Sequence, residues 1–168
     1  MKETEILIRQ WDKSDFNQII YILKESWDKA YSSFIPEEDL VFYLDKTYNI
    51  KELEKLYNDE NIICYSAVVD NQTVGWLKLT INRKENRFYL SSIYVLPEYQ
   101  NLKIGKRFID TAFSKAKKKG FSEIWIGVME NNSNVLRWYE NLGFIFTESL
   151  PFTMGKTTVA HKIGVREL

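Results

Sequence analysis

The stretch from Phe88 to Lys119 is the hardest to place outside a domain that mixes strands with helices. Phe88 to Val95 reads as a strand, and Pro97 stops it. After a short polar loop, Ile104, Phe108, Ala112 and Ala116 recur at helical spacing as far as Lys119. Gly120 follows, where a left-handed residue is wanted to close a helix. A glycine, Gly105, falls in the first turn of that helix. This geometry leaves main-chain N–H groups unpaired at the positive end of the helix dipole, a setting that suits an anion such as a pyrophosphate.

The rest of the chain fits the same class. Glu5 to Trp11 alternates as a first strand, and Ser14 reads as the cap of a helix carrying Phe16, Ile19, Ile20, Leu23 and Trp27. Pro36, Glu37 and Glu38 suit the first turn of a second helix, and Lys51 to Tyr57 reads as a short third. Ile62 to Val69 and Val74 to Ile81 read as strands joined by the turn residues Asp70, Asn71 and Gln72. Arg83 to Asn86 connects them to the Phe88 strand. Ser122 to Val128 is a further strand, Asn132 to Asn141 a short helix ended by Gly143, and Phe144 to Thr147 a short strand. Thr157 to Val165 is the expected last strand. With no internal repeat or linker, residues 1–168 are expected to form one α/β (α+β) domain.

Composition removes several classes of function. Lysine plus arginine and aspartate plus glutamate both number 23, so the basic excess typical of a nucleic-acid binder is missing. No run approaches the roughly 18 apolar residues of a membrane span, and the charged start carries no signal-peptide core. These features place the expected compartment in the cytoplasm. Cys64 is the only cysteine, without an evident activating partner, and is expected to be a small buried strand residue. His161 is the only histidine, so no multi-histidine metal site is available and no metal is expected. On the last strand it reads as an ordinary surface or satisfied residue, with the acceptor pocket as the other place it might occupy.

Two readings of Gly105 stand on the residues alone: a flexible position near a helix start, or a point of close approach to phosphates, with Lys103, Lys106 or Arg107 adding charge. A nucleotide P-loop fails, because Gln100 and Arg107 occupy places that need a glycine and a hydroxyl residue. A Rossmann fingerprint fails for want of glycines. The run Val95-Leu96-Pro97-Glu98-Tyr99-Gln100-Asn101-Leu102-Lys103-Ile104-Gly105-Lys106-Arg107-Phe108 resembles the acetyl-CoA-binding motif of the GNAT acetyltransferase superfamily. Gln100 and Gly105 match its first and last positions. Lys103 stands where the first glycine is expected, which implies ordinary helical dihedrals there.

A second match follows about 30 residues later. Asn132, Tyr139, Gly143 and Phe144 stand in the register of the second GNAT signature, with Val135 in place of the usual alanine. Asn132 and Tyr139 lie two turns apart on nearly one helix face. The residues also allow an ordinary cap for Asn132 and a core aromatic for Tyr139. The resemblance implies a single domain with a mixed sheet of about six to seven strands flanked by helices, in which two parallel strands splay to admit pantetheine. It implies that Ile93, Tyr94, Val95, Gln100, Asn101, Leu102, Lys103, Ile104, Gly105, Lys106 and Asn132 bind acetyl-CoA, and that Tyr139 protonates the departing thiolate. Glu25-Ser26-Trp27 with Tyr31, Pro36-Glu37-Glu38, and Phe152-Thr153-Met154-Gly155 look like PaiA-type polyamine acetyltransferases.

The implied activity is direct attack of a neutral primary amine on a thioester, with main-chain N–H groups stabilising the developing oxyanion. An alkyl ammonium of pKa near 10 is only about one part in a thousand neutral at pH 7, so something must take its proton. Many members of the superfamily carry a glutamate on the strand before the cofactor loop. Here that strand reads Phe88-Tyr89-Leu90-Ser91-Ser92, leaving a water chain through Ser91 or Ser92, or a carboxylate from the first helices. Glu25, Asp28, Glu37, Glu38 and Asp39 make the early helices acidic, which fits either a solvated face or a wall for a polycation such as spermidine or spermine. A protein amine as acceptor, a non-catalytic acyl-CoA sensor and a homodimer are the other arrangements the sequence admits.

Overall fold

Seven strands and five helices make up the computed structural model, which describes residues 3–168. They run β1 (Ile6–Gln10), α1 (Phe16–Tyr31), α2 (Glu37–Thr47), α3 (Ile50–Asn58), β2 (Ile62–Val69), β3 (Gln72–Asn82) and β4 (Arg87–Val95). After them come α4 (Ile104–Lys118), β5 (Glu123–Met129), α5 (Ser133–Asn141), β6 (Ile145–Met154) and β7 (Thr157–Glu167). The sheet order is β1-β2-β3-β4-β5-β7-β6. Neighbours are antiparallel except β4 and β5, which the α4 crossover makes parallel. This is a single α/β domain with a mixed seven-stranded sheet between helices.

Local chemistry explains most boundaries. Asp70 and Asn71 both take positive φ, 48° and 64°, which is the type I′ turn a two-residue hairpin needs. The first helix starts differently from the sequence expectation. Asp12, not Ser14, is the cap: its side chain accepts from the Ser14 N–H, while the Asp15 carboxylate accepts from the Asp12 N–H. Ser14 therefore lies inside a short 3-10 turn, and α1 begins at Phe16. At the far edge, β6 extends to Met154, well beyond the Thr147 expected for it. Pro151 and the polar residues of that segment hid the strand, and an edge position tolerates both.

The sheet buries apolar side chains on both faces. Phe108, Ile109 and Ala112 of α4 meet Leu77, Phe88 and Ile126 on one side. On the other, Ile19, Leu23 and Trp27 of α1 and Leu53 of α3 meet Trp76, Cys64 and Met129. Cys64 is buried, and that burial raises its thiol pKa.

A buried carboxylate fixes α1 to the sheet. Asp15, 4% exposed, accepts two hydrogen bonds from Arg9 at 2.8 and 2.9 Å. It also accepts from Ser66 Oγ and Thr73 Oγ1, each at 2.9 Å. Burial opposes the charge, but Arg9, the Asp12 N–H and the two hydroxyls outweigh it and hold the pKa at about 2. A depressed carboxylate stabilises above its unfolded pKa and loses that contribution as pH falls through the folded value. Asp15→Asn is expected to cost about 2–4 kcal/mol at pH 7 in urea unfolding. The wild-type advantage should shrink by roughly 2 kcal/mol as pH falls from above 4 to about 2. A variant as stable as the wild type at pH 7 would remove this anchor from the account.

Candidate active site

Between β4 and β5 the sheet opens. Only Tyr89–Trp125 and Leu90–Ile126 pair across them. At that point β4 carries a bulge: Leu90 faces Leu79 and Ser92 faces Lys78, so Ser91 is skipped in the register with β3. An extra residue bends its strand and adds twist. Past the bulge β4 stays with β3 as far as Val95–Gly75, while β5 stays with β7 as far as Met129–His161. Each arm is therefore held by its outer neighbour, and the edges facing the gap have no strand partner.

A cavity of about 370 Å³ occupies this wedge and runs toward α1. One half is lined by Ile93, Tyr94, Val95, Gln100, Asn132 and Tyr139, six of the residues expected at the site. Tyr139 is 3% exposed, with its ring edge-on to Phe144. Burial first, and the nearby Tyr31 second, push its phenol well above the usual value. The same dry surroundings raise the basicity of any thiolate formed there, so the gap between donor and acceptor widens less than the phenol shift alone implies. Asn132 occupies the cap position of α5, yet its side chain makes no capping bond and lines the cavity instead.

Asn101, Leu102, Lys103, Ile104, Gly105 and Lys106 do not line the cavity; they form the turn into α4 at its rim. The N–H groups of Lys103 to Lys106 have no acceptor among the described residues, the first bond across the junction being Arg107 N–H to the Lys103 carbonyl. Gln100 braces the turn by donating to the Val95 carbonyl at 3.1 Å. Lys103 has φ 59°, the left-handed region, which corrects the helical conformation expected from its side chain. The turn keeps the shape a glycine would favour, at a cost of about 1–2 kcal/mol for a residue with a Cβ. Gly105 takes no positive φ, and a Cβ there would meet Trp138 at an ordinary 3.6 Å. Of the basic side chains, Lys106 pairs with Asp110 and Arg107 donates to the Ile6 carbonyl.

The other half of the cavity is aromatic. Ser26, Trp27, Tyr31, Phe152 and Met154, all from the narrower PaiA-like matches, line it with Tyr43 and Tyr48. Tyr31 and Tyr94 share a hydroxyl contact of 3.2 Å, and burial raises both phenols. No aspartate or glutamate lines the cavity, so the first helices supply no carboxylate for one of the two routes considered for the amine's proton, whereas Ser91 and Ser92, of the water-chain route, do line it. Glu25, Asp28 and Glu37 border a separate shallow depression. Asp39 accepts from the Lys156 N–H and the Thr157 hydroxyl, tying α2 to the β6–β7 hairpin.

Sequence reasoning missed Lys78, Tyr48 and Gly127, and preferred a surface or satisfied position for His161 over the acceptor pocket, whereas the structure puts all four in the lining. Lys78 is the one charged side chain of the lining apart from the titratable His161, and its Nζ donates to the Tyr48 hydroxyl at 3.1 Å. A lysine inside the otherwise apolar run Gly75-Trp76-Leu77-Lys78-Leu79 was the available signal. Among the described residues no group of three or more His, Cys, Asp or Glu is placed to hold a metal, and no helix is long and apolar enough to cross a membrane.

A wedge between parallel strands beside a turn of free N–H groups matches what the two sequence motifs implied, and the profile of the Acetyltransferase (GNAT) family covers residues 17–144. The chain belongs to the GNAT acetyltransferase family. The GNAT chain is 29% identical over 143 residues to the spermidine N(1)-acetyltransferase of Thermoplasma acidophilum, covering 83% of this chain and 88% of the relative. It is 25% identical over 158 residues to an uncharacterised N-acetyltransferase of Lactobacillus delbrueckii subsp. lactis, covering 90% and 91%. The crystal structure of PaiA N-acetyltransferase from T. acidophilum in complex with coenzyme A superimposes with a TM-score of 0.84 at 26% identity, over 98% of this chain and 99% of that one. The protein is thus a GNAT N-acetyltransferase with acetyl-CoA as co-substrate.

The left-handed Lys103 gives a direct test. Lys103→Gly is expected to raise stability by about 0.5–1 kcal/mol, because it relieves the Cβ strain more than it loosens the unfolded chain. Coenzyme A affinity by calorimetry should change less than about threefold, since the N–H donors stay in place. A large loss of affinity would instead assign binding to the Lys103 side chain.

Proposed function

We propose that the acceptor is a small primary amine bound in the aromatic half of the cavity, and that Tyr139 supplies the proton to the leaving thiolate. The observation that carries this reading is a single cavity: its wedge half suits a pantetheine arm, its other half is lined by α1, α2 and β6, and Tyr139 lies on its surface. The N–H groups of residues 103–106 would hold the diphosphate at the positive end of α4, with Gln100 keeping the turn in shape. The unpaired edges of β4 and β5, with Asn132, would bond the pantetheine amides as a missing strand would. Acetyl-CoA supplies an activated acyl group, and the chain's task is to orient it, exclude water and manage two protons. The phenol of Tyr139 remains protonated at neutral pH, so it is available as a donor in every turnover.

Spermidine and spermine are the first acceptors to try, on the strength of the Thermoplasma relative's name. Trp27, Tyr31, Tyr43, Tyr48 and Phe152 give this half of the cavity the aromatic character that suits a cation, and the Tyr48 ring already has Lys78 Nζ 5.2 Å from its centroid. Lys78 favours a second reading. With no carboxylate in the lining, an amine carrying a distant carboxylate would find a partner there, whereas a fully charged polyamine would meet a like charge.

Thiol release from acetyl-CoA on a panel of polyamines, amino acids and peptides separates these readings from one another and from a peptide acceptor. Coenzyme A binding with no thiol release on any amine would make the protein a sensor. On an active acceptor, Tyr139→Phe should lower kcat by about 100-fold and leave coenzyme A affinity within about threefold. With a polyamine acceptor, Lys78→Met should raise kcat/KM for spermidine about tenfold, an effect of ~1.4 kcal/mol. A fall instead, with the native protein preferring an anionic amine, would move the acceptor to the second reading.

A further inference from the structure

The proton carried by the attacking nitrogen has no carboxylate to receive it in this cavity. The titratable groups that line it are Tyr31 of α1, Tyr43 of α2, Tyr48 just beyond α2, Tyr94 of β4, Tyr139 of α5, Lys78 of β3 and His161 of β7. From β5 come only Gly127, Val128 and Met129, and from β6 only Phe152 and Met154, none of them ionisable. Burial raises the phenols of Tyr31, Tyr43, Tyr94 and Tyr139, and Lys78 Nζ is engaged as a donor to the Tyr48 hydroxyl, so none of these is placed to accept a proton from an amine. The imidazole is the exception.

The placement of His161 is built. It sits on β7 opposite Met129 of β5 and Leu150 of β6. Its ring packs 5.1 Å from that of Phe152 and lies directly over Gly127, the first residue of β5 past the last β4–β5 pair. A Cβ at position 127 would stand 2.6 Å from Cε1 and 3.1 Å from Nδ1 of that ring, so only glycine lets the imidazole occupy the root of the wedge. We infer that His161 is the proton acceptor for the attacking amine, seated at the fork of β4 and β5 by the absence of a side chain at Gly127. As the N–C bond forms and the C–S bond breaks, the nitrogen's proton passes to the free imidazole nitrogen, and the leaving thiolate takes the phenolic proton of Tyr139. The imidazolium and the phenolate then exchange with solvent to reset the site.

Burial lowers the His161 pKa from its ordinary 6.5, against a backbone hydrogen bond with Gly127 that favours the charged form. Pushed below 6.5 in this way, the imidazole is neutral at pH 7, and one of its two ring nitrogens carries a lone pair. The group is therefore in its accepting form above its folded pKa, and activity falls as pH drops through that value.

The inference rests on the transferase reading, and the test separates the two. As the only histidine, His161 gives a single imidazole signal in proton NMR, so its titration is assigned without ambiguity. That titration is expected below 6.5 and to coincide with the acid limb of kcat/KM. His161→Gln should lower kcat by about 100-fold, abolish the acid limb and leave coenzyme A affinity within about threefold. Added imidazole should restore part of the rate to His161→Ala. Gly127→Ala, which displaces the ring, should lower kcat while the protein still binds coenzyme A and still shows a titrating histidine. A His161→Gln protein that keeps its acid limb, or an imidazole titration more than about one unit from that limb, overturns the assignment with the transferase intact. If the wild type binds coenzyme A but releases no thiol on any amine, the transferase reading fails, and this role fails with it.

Discussion

The loss of parallel pairing between β4 and β5 after two residue pairs is the constraint from which the site follows. Two neighbouring strands in a sheet normally close their edges against each other, because unpaired N–H and C=O groups are costly away from water. Here Ser91 is surplus on β4, and the bend it introduces carries Ile93, Tyr94 and Val95 away from Gly127, Val128 and Met129. The wedge does not collapse, because β3 and β7 each hold one arm, and because α4 and α1 press on opposite faces of the sheet. The opening is a property of the folded chain, so a strand-like ligand meets edges already in place.

The same economy governs the turn into α4. A left-handed residue at position 103 turns four consecutive N–H groups outward, and glycine is the usual way to obtain it. This chain uses lysine and bears the strain. Neighbouring contacts over-determine the conformation: Ile104 is locked in the core, Gln100 bonds back to Val95, and Arg107 reaches the Ile6 carbonyl across the sheet. Strain that persists under such contacts is a feature of sites where the backbone itself does the binding.

Features set by neighbours in sequence were legible before the structure. The strand-loop-helix at Pro97 and Gly105, the hairpin turn at Asp70–Asn71 and the register of Asn132 with Tyr139 all depend on residues within two helical turns. Where several local solutions compete, reading failed. Asp12 and Asp15 together out-compete Ser14 as a cap, and the positive φ of Lys103 is imposed by contacts that no propensity records. The acceptor side was the least legible part. Lys78, Tyr48, Phe152 and His161 come from four segments spread over more than half the chain, and only strand order and the β4 bulge bring them to one wall. The acidic early helices left two readings open for the same reason. Glu25, Asp28 and Glu37 border a different depression and Asp39 binds the β6–β7 hairpin, and helix periodicity alone does not say which side meets the cavity.

Charge balance inside the cavity connects these observations to the chemistry. A lining with phenols, one imidazole, one lysine and no carboxylate disfavours an ammonium at the reacting position, both by desolvation and by like charge from Lys78. Each effect lowers the pKa of a bound amine, which makes the neutral, nucleophilic form easier to reach than in water. A carboxylate at the same place would do the opposite: it would bind the cation well and hold it in its unreactive form. The absence of an acid on β4 is therefore coherent with a site that weakens its hold on the charged amine and leaves the removal of the proton to a neutral base.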